Sequence, residues 1–258
     1  MASSVKTLGR GARWSLGLSG LALLVALWWA GTLWLQADVP LAATLAPDQT
    51  LASLWQLLTD HQLTEHILVS LRRVLVGLLI ALAVGVPLGL AVGASRHVEA
   101  GTGMAFQFLR MISPLSWMPI AVMVLGVGDA PIYFLLAFAA VWPILLNTVA
   151  GVHQLDKRWM MLGKSLSATR WELLRSIVLP GVLGHILTGI RLAIGIVWIV
   201  LVPCEMLGVS AGLGYFILDT RDRLAYSELM AVILLIGALG FALDATARAL
   251  HRRWTHSA

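Results

Sequence analysis

The triplet Gly163-Lys164-Ser165 is the first candidate for chemistry in this chain, because it copies the end of the phosphate-binding pattern G-x-x-x-x-G-K-[ST]. The glycines of that pattern let backbone amides cradle a phosphate. Its first glycine falls on Arg158 here, and no alternating strand pattern precedes it. The triplet is therefore expected to bind no nucleotide. A second set of candidates is the charge placed inside or at the ends of apolar stretches: Arg72, Arg73, Arg110, Arg191, Glu205 and Asp244. A lone charge there costs about 2.5–3.5 kcal/mol on insertion scales, so each needs a partner or a use. One use is a path for an anion, with guanidinium forks as bidentate donors to an oxyanion. The other reading is structural, as snorkelling or paired side chains. Arg72 and Arg73, near one end of a span, fit either. Arg191 and Glu205 stand fourteen positions apart, about 320° around a helix and so nearly on one face, but roughly 21 Å apart along its axis. They cannot pair with each other. Arg72, Arg110, Arg191 and Glu205, with Trp117 beside a proline-rich break, are the candidate pathway residues.

Other chemistry has little support. The 7 histidines have no ligand spacing, and neither a Ser-His-Asp set nor a carboxylate pair is recognisable, so no metal or catalytic centre is expected. The single cysteine, Cys204, allows no intrachain disulfide.

The elements that hold these residues are spans. The chain is 59% hydrophobic and 12% charged, against roughly 25% charged in soluble domains. Lipid is the solvent that suits it, and about 20 apolar residues cross the hydrocarbon core as a helix. Six segments qualify: residues 16–35, 66–93, 104–125, 132–152, 182–206 and 229–250. Pro87, Pro114, Pro119, Pro143 and Pro203 interrupt them, which spans tolerate where neighbours or a wet cavity take up the freed carbonyls. The first segment is too long for a signal-peptide core and is expected to be retained. Residues 50–58 repeat apolar side chains at helical spacing, which predicts a short interfacial helix.

Charge sets the orientation. With the N-terminus inside, twelve of the 18 basic residues fall on the cytoplasmic side, while the outer loop 36–65 has acids and no Lys or Arg. Both termini are expected in the cytoplasm, with residues 1–15 as an N-terminal tail. The net charge of +5 is explained by these loops and implies no nucleic acid. The whole chain, residues 1–258, reads as one membrane domain with a core over about 60–250.

The loop over 153–180 is basic (Lys157, Arg158, Lys164, Arg170, Arg175) yet carries Leu162, Leu166 and Leu173 at helical spacing. A helix over 161–174 is predicted, with those leucines facing a partner. Its ending, Ile177, Leu179 and Pro180, resembles the Ile-x-Leu-Pro that closes the coupling loop of permease subunits of binding-protein-dependent ABC importers. The glycine of that pattern falls on Ser167, and its Glu-Ala-Ala on Met161-Leu162-Gly163. Three further stretches resemble the nitrate/sulfonate/taurine-type permeases: His66 to Gly77 with Gly85-Val86-Pro87-Leu88-Gly89, Arg110 to Pro119, and Leu187 to Ala193 with Glu205. Gly212-Leu213-Gly214-Tyr215 matches the loop that follows the last of them.

The resemblance implies an all-α membrane protein of six transmembrane helices, like the type I ABC importer permeases, with a cytoplasmic coupling helix. It implies a bacterial inner-membrane subunit paired with a second copy or a close relative of itself, two ABC ATPase subunits and an extracytoplasmic solute-binding protein. ATP and Mg would sit on the ATPases, with no cofactor on this chain. The cargo class implied is nitrate, bicarbonate, sulfonate or taurine, with a phosphonate or a nitrogenous compound as the alternative. Residues implied at the ATPase contact are Gly163, Leu166, Ser167, Ala168, Leu173, Ile177, Leu179 and Pro180. The outer segment 208–228 is either a docking surface or a solvated loop. A stand-alone secondary transporter needs inverted repeats and its own ion site, neither of which is visible.

Overall fold

The computed structural model describes residues 10–255, so most of the expected tail over 1–15 lies outside it. The described residues form helices α1 (Arg10–Leu35), α2 (Pro47–Thr59), α3 (Gln62–Gly93), α4 (Arg96–Met111), α5 (Met118–Leu125) and α6 (Asp129–His153). There follow α7 (Lys157–Ser165), α8 (Arg170–Leu173), α9 (Leu179–Glu205), α10 (Leu213–Asp222) and α11 (Tyr226–Thr255). No strand occurs among the described residues. The described residues divide into two compact units, those up to 62 with 219–234, and 63–218 with those from 235 on.

In the first unit, α1 is apolar all round and leaves Leu18, Leu24 and Leu27 more than 60% exposed, the habit of a helix solvated by lipid. Trp28 Nε1 donates to the Leu45 carbonyl at 3.1 Å, fixing a 3₁₀ turn (Pro40–Leu45) against α1. Pro47 opens α2, where its missing N–H costs nothing, so the interfacial helix expected over 50–58 is present and slightly longer.

The second unit is built on close helix contacts. A Cβ added at Gly77, Gly85, Gly89 or Gly93 of α3 would strike Leu136, Ile144, Thr148 or Val152 of α6, respectively. Each partner lies the same number of positions further on, so α3 and α6 run parallel. The small-residue stripe is thus a packing surface, as such stripes in membranes commonly are. Gly151 meets Val182 and His185, and Gly189 meets Pro143 and Ile144, so α9 runs antiparallel to α6. Trp198 Nε1 donates to the Ile236 carbonyl at 3.1 Å, while Arg191 reaches Asp244, so α11 turns back again. Val74, Ala81, Leu135, Ile144, Val197 and Leu201 are buried where α3, α6 and α9 meet.

Parallel α3 and α6 require the chain between them to return across the membrane. The third span, expected as residues 104–125, does this as a broken element: α4, then Pro114–Leu125 at 86° to it. Ile112 and Ser113 are extended, Pro114 has no N–H to continue the ladder, and the residue before a proline avoids the helical region. Five described helices are long and apolar enough to cross by themselves, and the bent pair, counted as one span, gives six.

Candidate functional site

Helix α3 presents His66, Ser70 and Arg73 on one face, at the spacing that stacks side chains one turn apart. Arg73, 3% exposed, donates from Nη1 to Glu205 Oε1 at 2.8 Å and to the Ala211 carbonyl at 2.6 Å. Its Nε and Nη2 donate to Asp129 Oδ1 at 2.9 and 2.6 Å. Glu205, the last residue of α9, is fully buried and also accepts from Ser70 Oγ and from the Gly214 amide at 2.9 Å. The Leu213 amide donates to Ser70 Oγ at 2.9 Å, and the Gly212 amide to His66 Nδ1 at 3.1 Å. Gly212 has φ +120°, and a Cβ there would sit 2.5 Å from Arg73 Nη1 and from the Glu205 carboxylate. Only glycine lets the backbone lie this close to the ion pair.

This closed cluster ties the ends of α3, α6 and α9 to the loop before α10. Glu205, expected as a pathway residue, is held by this cluster: its carboxylate is buried and accepts from Arg73, Ser70 and the Gly214 amide. Arg72 stands outside the cluster, more than half exposed, paired with Asp129 and lining a recess of about 570 Å³ with Val69, Gly128 and Ser210. Arg191 is half-exposed and turns toward α11, 3.5 Å from Asp244, which also holds Arg248.

The break in the third span makes a second cavity of about 580 Å³, lined by Arg110, Phe138, Trp142, Asn147, Leu192 and Ile196. Arg110, in the last turn of α4, has no carboxylate partner among the described residues. Trp142 stands edge-on to Phe138, with ring centres 5.6 Å apart. Trp117 packs on the same Phe138 at 5.7 Å and so backs the wall without lining the cavity. A guanidinium lining one cavity with apolar and aromatic side chains suits an anion that has shed part of its water.

The basic loop is a hairpin rather than the single helix expected over 161–174. Helix α7 stops at Ser165, Ser167 takes φ +58°, and the Ala168 amide returns to the Gly163 carbonyl at 3.0 Å, a Schellman closure. Thr169 then opens α8 with a reciprocal cap: its backbone N–H donates to Glu172 Oε2 at 2.7 Å, and the Glu172 amide donates to Thr169 Oγ1 at 3.3 Å. A π turn (Leu174–Val178) joins α8 to α9, with Pro180 in the first turn of α9. Gly163 is pressed against Leu173 and Ile177, which places Leu173 inside the hairpin and corrects its expected outward role. The surface offered outward is Trp159, Met161, Leu162, Leu166 and Trp171, with Leu166 74% exposed. Leu179 is also exposed. Within the triplet Gly163-Lys164-Ser165, the backbone continues α7 and forms no phosphate cradle; the Lys164 side chain lies outside the described residues.

Residues 85–256 match the family described as the binding-protein-dependent transport system inner membrane component. The chain belongs to that family. The bicarbonate transport system permease protein CmpB of Synechococcus elongatus is 37% identical over 187 residues, covering 72% of this chain and 67% of the relative. The nitrate import permease NrtB of Synechocystis is 34% identical, covering 72% and 68%. The taurine transport system permease TauC of Escherichia coli is 31% identical, covering 93% and 89%. Among solved structures, the MetNI methionine ABC transporter, facing inward, superimposes with a TM-score of 0.63 at 15% identity, over 74% of this chain and 95% of that one. An amino acid ABC transporter gives 0.56 at 16% identity, over 79% and 98%. The fold is that of the type I importer permeases.

In this permease the hairpin turn at Ser167 carries a backbone cost, since a non-glycine residue in the left-handed region costs roughly 1–2 kcal/mol. Ser167→Gly removes that cost and adds unfolded-chain entropy, a smaller opposing effect. The expected result is slower hydrogen exchange of the Ala168 amide in Ser167→Gly, by about threefold. Faster exchange there would show that the serine stabilises its turn.

Proposed function

We propose that this permease is one of two transmembrane subunits of an ATP-driven importer for a small anion of the bicarbonate, nitrate, sulfonate or taurine class. The observation that carries the reading is the hairpin, an apolar tip (Leu162, Leu166, Trp171) exposed on a basic segment between two spans. Exposed aromatic and aliphatic side chains of this kind are what a groove on a partner protein buries. The partner is a pair of ABC ATPase subunits that hold ATP and Mg, and this chain itself performs no hydrolysis. The basic loops support a cytoplasmic hairpin with both termini inside. A solute-binding protein delivers cargo at the opposite face. Helix α4 buries none of its side chains, and Met104 and Phe108 are strongly exposed, which supports a second copy of the chain against that face.

Arg110 is the pathway residue on this reading. The three permeases named above carry in their names anions or, for taurine, a zwitterion with a sulfonate. A guanidinium in a cavity shared with Phe138 and Trp142 offers two parallel donors to such an oxyanion. Lysine keeps the charge and loses the fork. Arg110→Lys is expected to slow uptake about tenfold while leaving assembly and basal ATP hydrolysis unchanged. Loss of assembly in the variant would show instead that Arg110 braces the elbow, and unchanged uptake would remove it from both roles.

A further inference from the structure

A third cavity, of about 1190 Å³, lies where α3 and α6 end and the hairpin begins. Three cations line it from three different elements: Arg96 at the start of α4, Lys157 at the start of α7 and Arg170 at the start of α8. None of the three is paired with a carboxylate among the described residues. The one acid in the lining, Glu99, already faces His153, with Nε2 to Oε2 at 3.2 Å. The rest of the wall is largely apolar, including Leu90, Val152, Leu155 and Leu174.

Cations that line one cavity with no acid partner among the described residues repel one another, and an anion that joins them relieves that repulsion. A cavity with a cationic rim, an apolar wall and a position at the ends of two spans fits an amphiphile better than a free ion. Basic pockets at this level of a membrane protein collect phosphate headgroups, and each Lys or Arg contributes roughly fivefold in affinity. We propose that the cavity binds the phosphate headgroup of an anionic phospholipid, with its glycerol and upper acyl carbons against the apolar wall. The bound lipid joins α4 to α7 and α8, and so stiffens the base of the hairpin. The inference rests on the proposed cytoplasmic placement of the hairpin and is independent of the cargo and of the ATPase.

The full chain in phosphatidylcholine nanodiscs is the test, with the unfolding midpoint and hydrogen exchange over 157–175 as readouts. Replacing a fifth of the lipid by phosphatidylglycerol is expected to raise the midpoint by about 5 °C and to slow exchange in the hairpin. The triple variant Arg96→Gln, Lys157→Gln, Arg170→Gln changes only unpaired side chains, and is expected to fold and to lose both responses. Should the triple variant fold poorly, Glu99→Gln serves instead, because removing the one acid in the lining should strengthen the response. An equal response in wild type and triple variant, or no gain in Glu99→Gln, overturns the site. Inorganic phosphate added to phosphatidylcholine discs is expected to leave the midpoint unchanged. If millimolar phosphate reproduces the whole shift, the occupant is a free anion and the lipid assignment is overturned.

Discussion

Glu205→Ala is expected to lower the unfolding midpoint by on the order of 10 °C and to sharply reduce the amount of inserted protein. The carboxylate is fully buried and is the acceptor for Arg73, Ser70 and the Gly214 amide. Its removal leaves a 3%-exposed guanidinium short of one of its two acids, with orphaned donors around it. Breaking a buried pair by deleting one partner costs about 3–5 kcal/mol, mostly because the remaining charge stays desolvated. The pair itself need not be strongly stabilising. Arg73→Met combined with Glu205→Leu removes both charges, and Asp129 keeps Arg72. That double variant is expected to recover most of the loss, a coupling that a double-mutant cycle in thermal unfolding reads directly. A pathway role for Glu205 would give the opposite pattern, with normal stability and slow uptake.

Leu166→Glu is expected to leave the permease inserted and thermally normal but to abolish its hold on the ATPase. Leu166 follows α7 at the tip of the hairpin and is 74% exposed, so the substitution costs the isolated chain little. Once the tip enters a groove, the new carboxylate is buried without a partner, a loss of several kcal/mol and so of about a thousandfold in affinity. Co-purification of the ATPase with wild type and with Leu166→Glu measures it. Leu173→Glu should behave differently, because Leu173 is packed on Gly163 inside the hairpin and its replacement damages the fold first.

How much of this was legible in the sequence depends on the range of the forces involved. The spans follow from hydropathy alone, and five of them appear as helices within about five residues of the expected limits (α1, α3, α6, α9 and α11), apart from the N-terminal start of α1. The break in the third was marked by Pro114 and Pro119, but a proline signals a discontinuity and carries no angle. The hairpin was missed because Leu162, Leu166 and Leu173 keep helical spacing across a turn that Ser167 makes in a conformation serine seldom adopts. Leu173 packs inward for the same reason: reversing the chain at Ser167 turns an outward face inward. The charge cluster was half visible. Arg73 and Glu205 each stood out as unexplained intramembrane charges, yet they are 132 positions apart, and nothing local to either names the other. Asp129 and Ser70, which complete the cluster, had no signal of their own, since one opens a helix and the other is an ordinary small polar residue within a span.

On the proposed function, this chain conducts and a separate ATPase drives. Proteoliposomes carrying the permease, with its ATPase and binding protein added or withheld and labelled bicarbonate, nitrate or taurine outside, test it most directly. Uptake of one of these solutes is expected only with both partners and ATP present, and is expected to vanish with Leu166→Glu. Uptake by the permease alone under an ion gradient, or ATP hydrolysis by the isolated chain that Lys164→Ala removes, contradicts it.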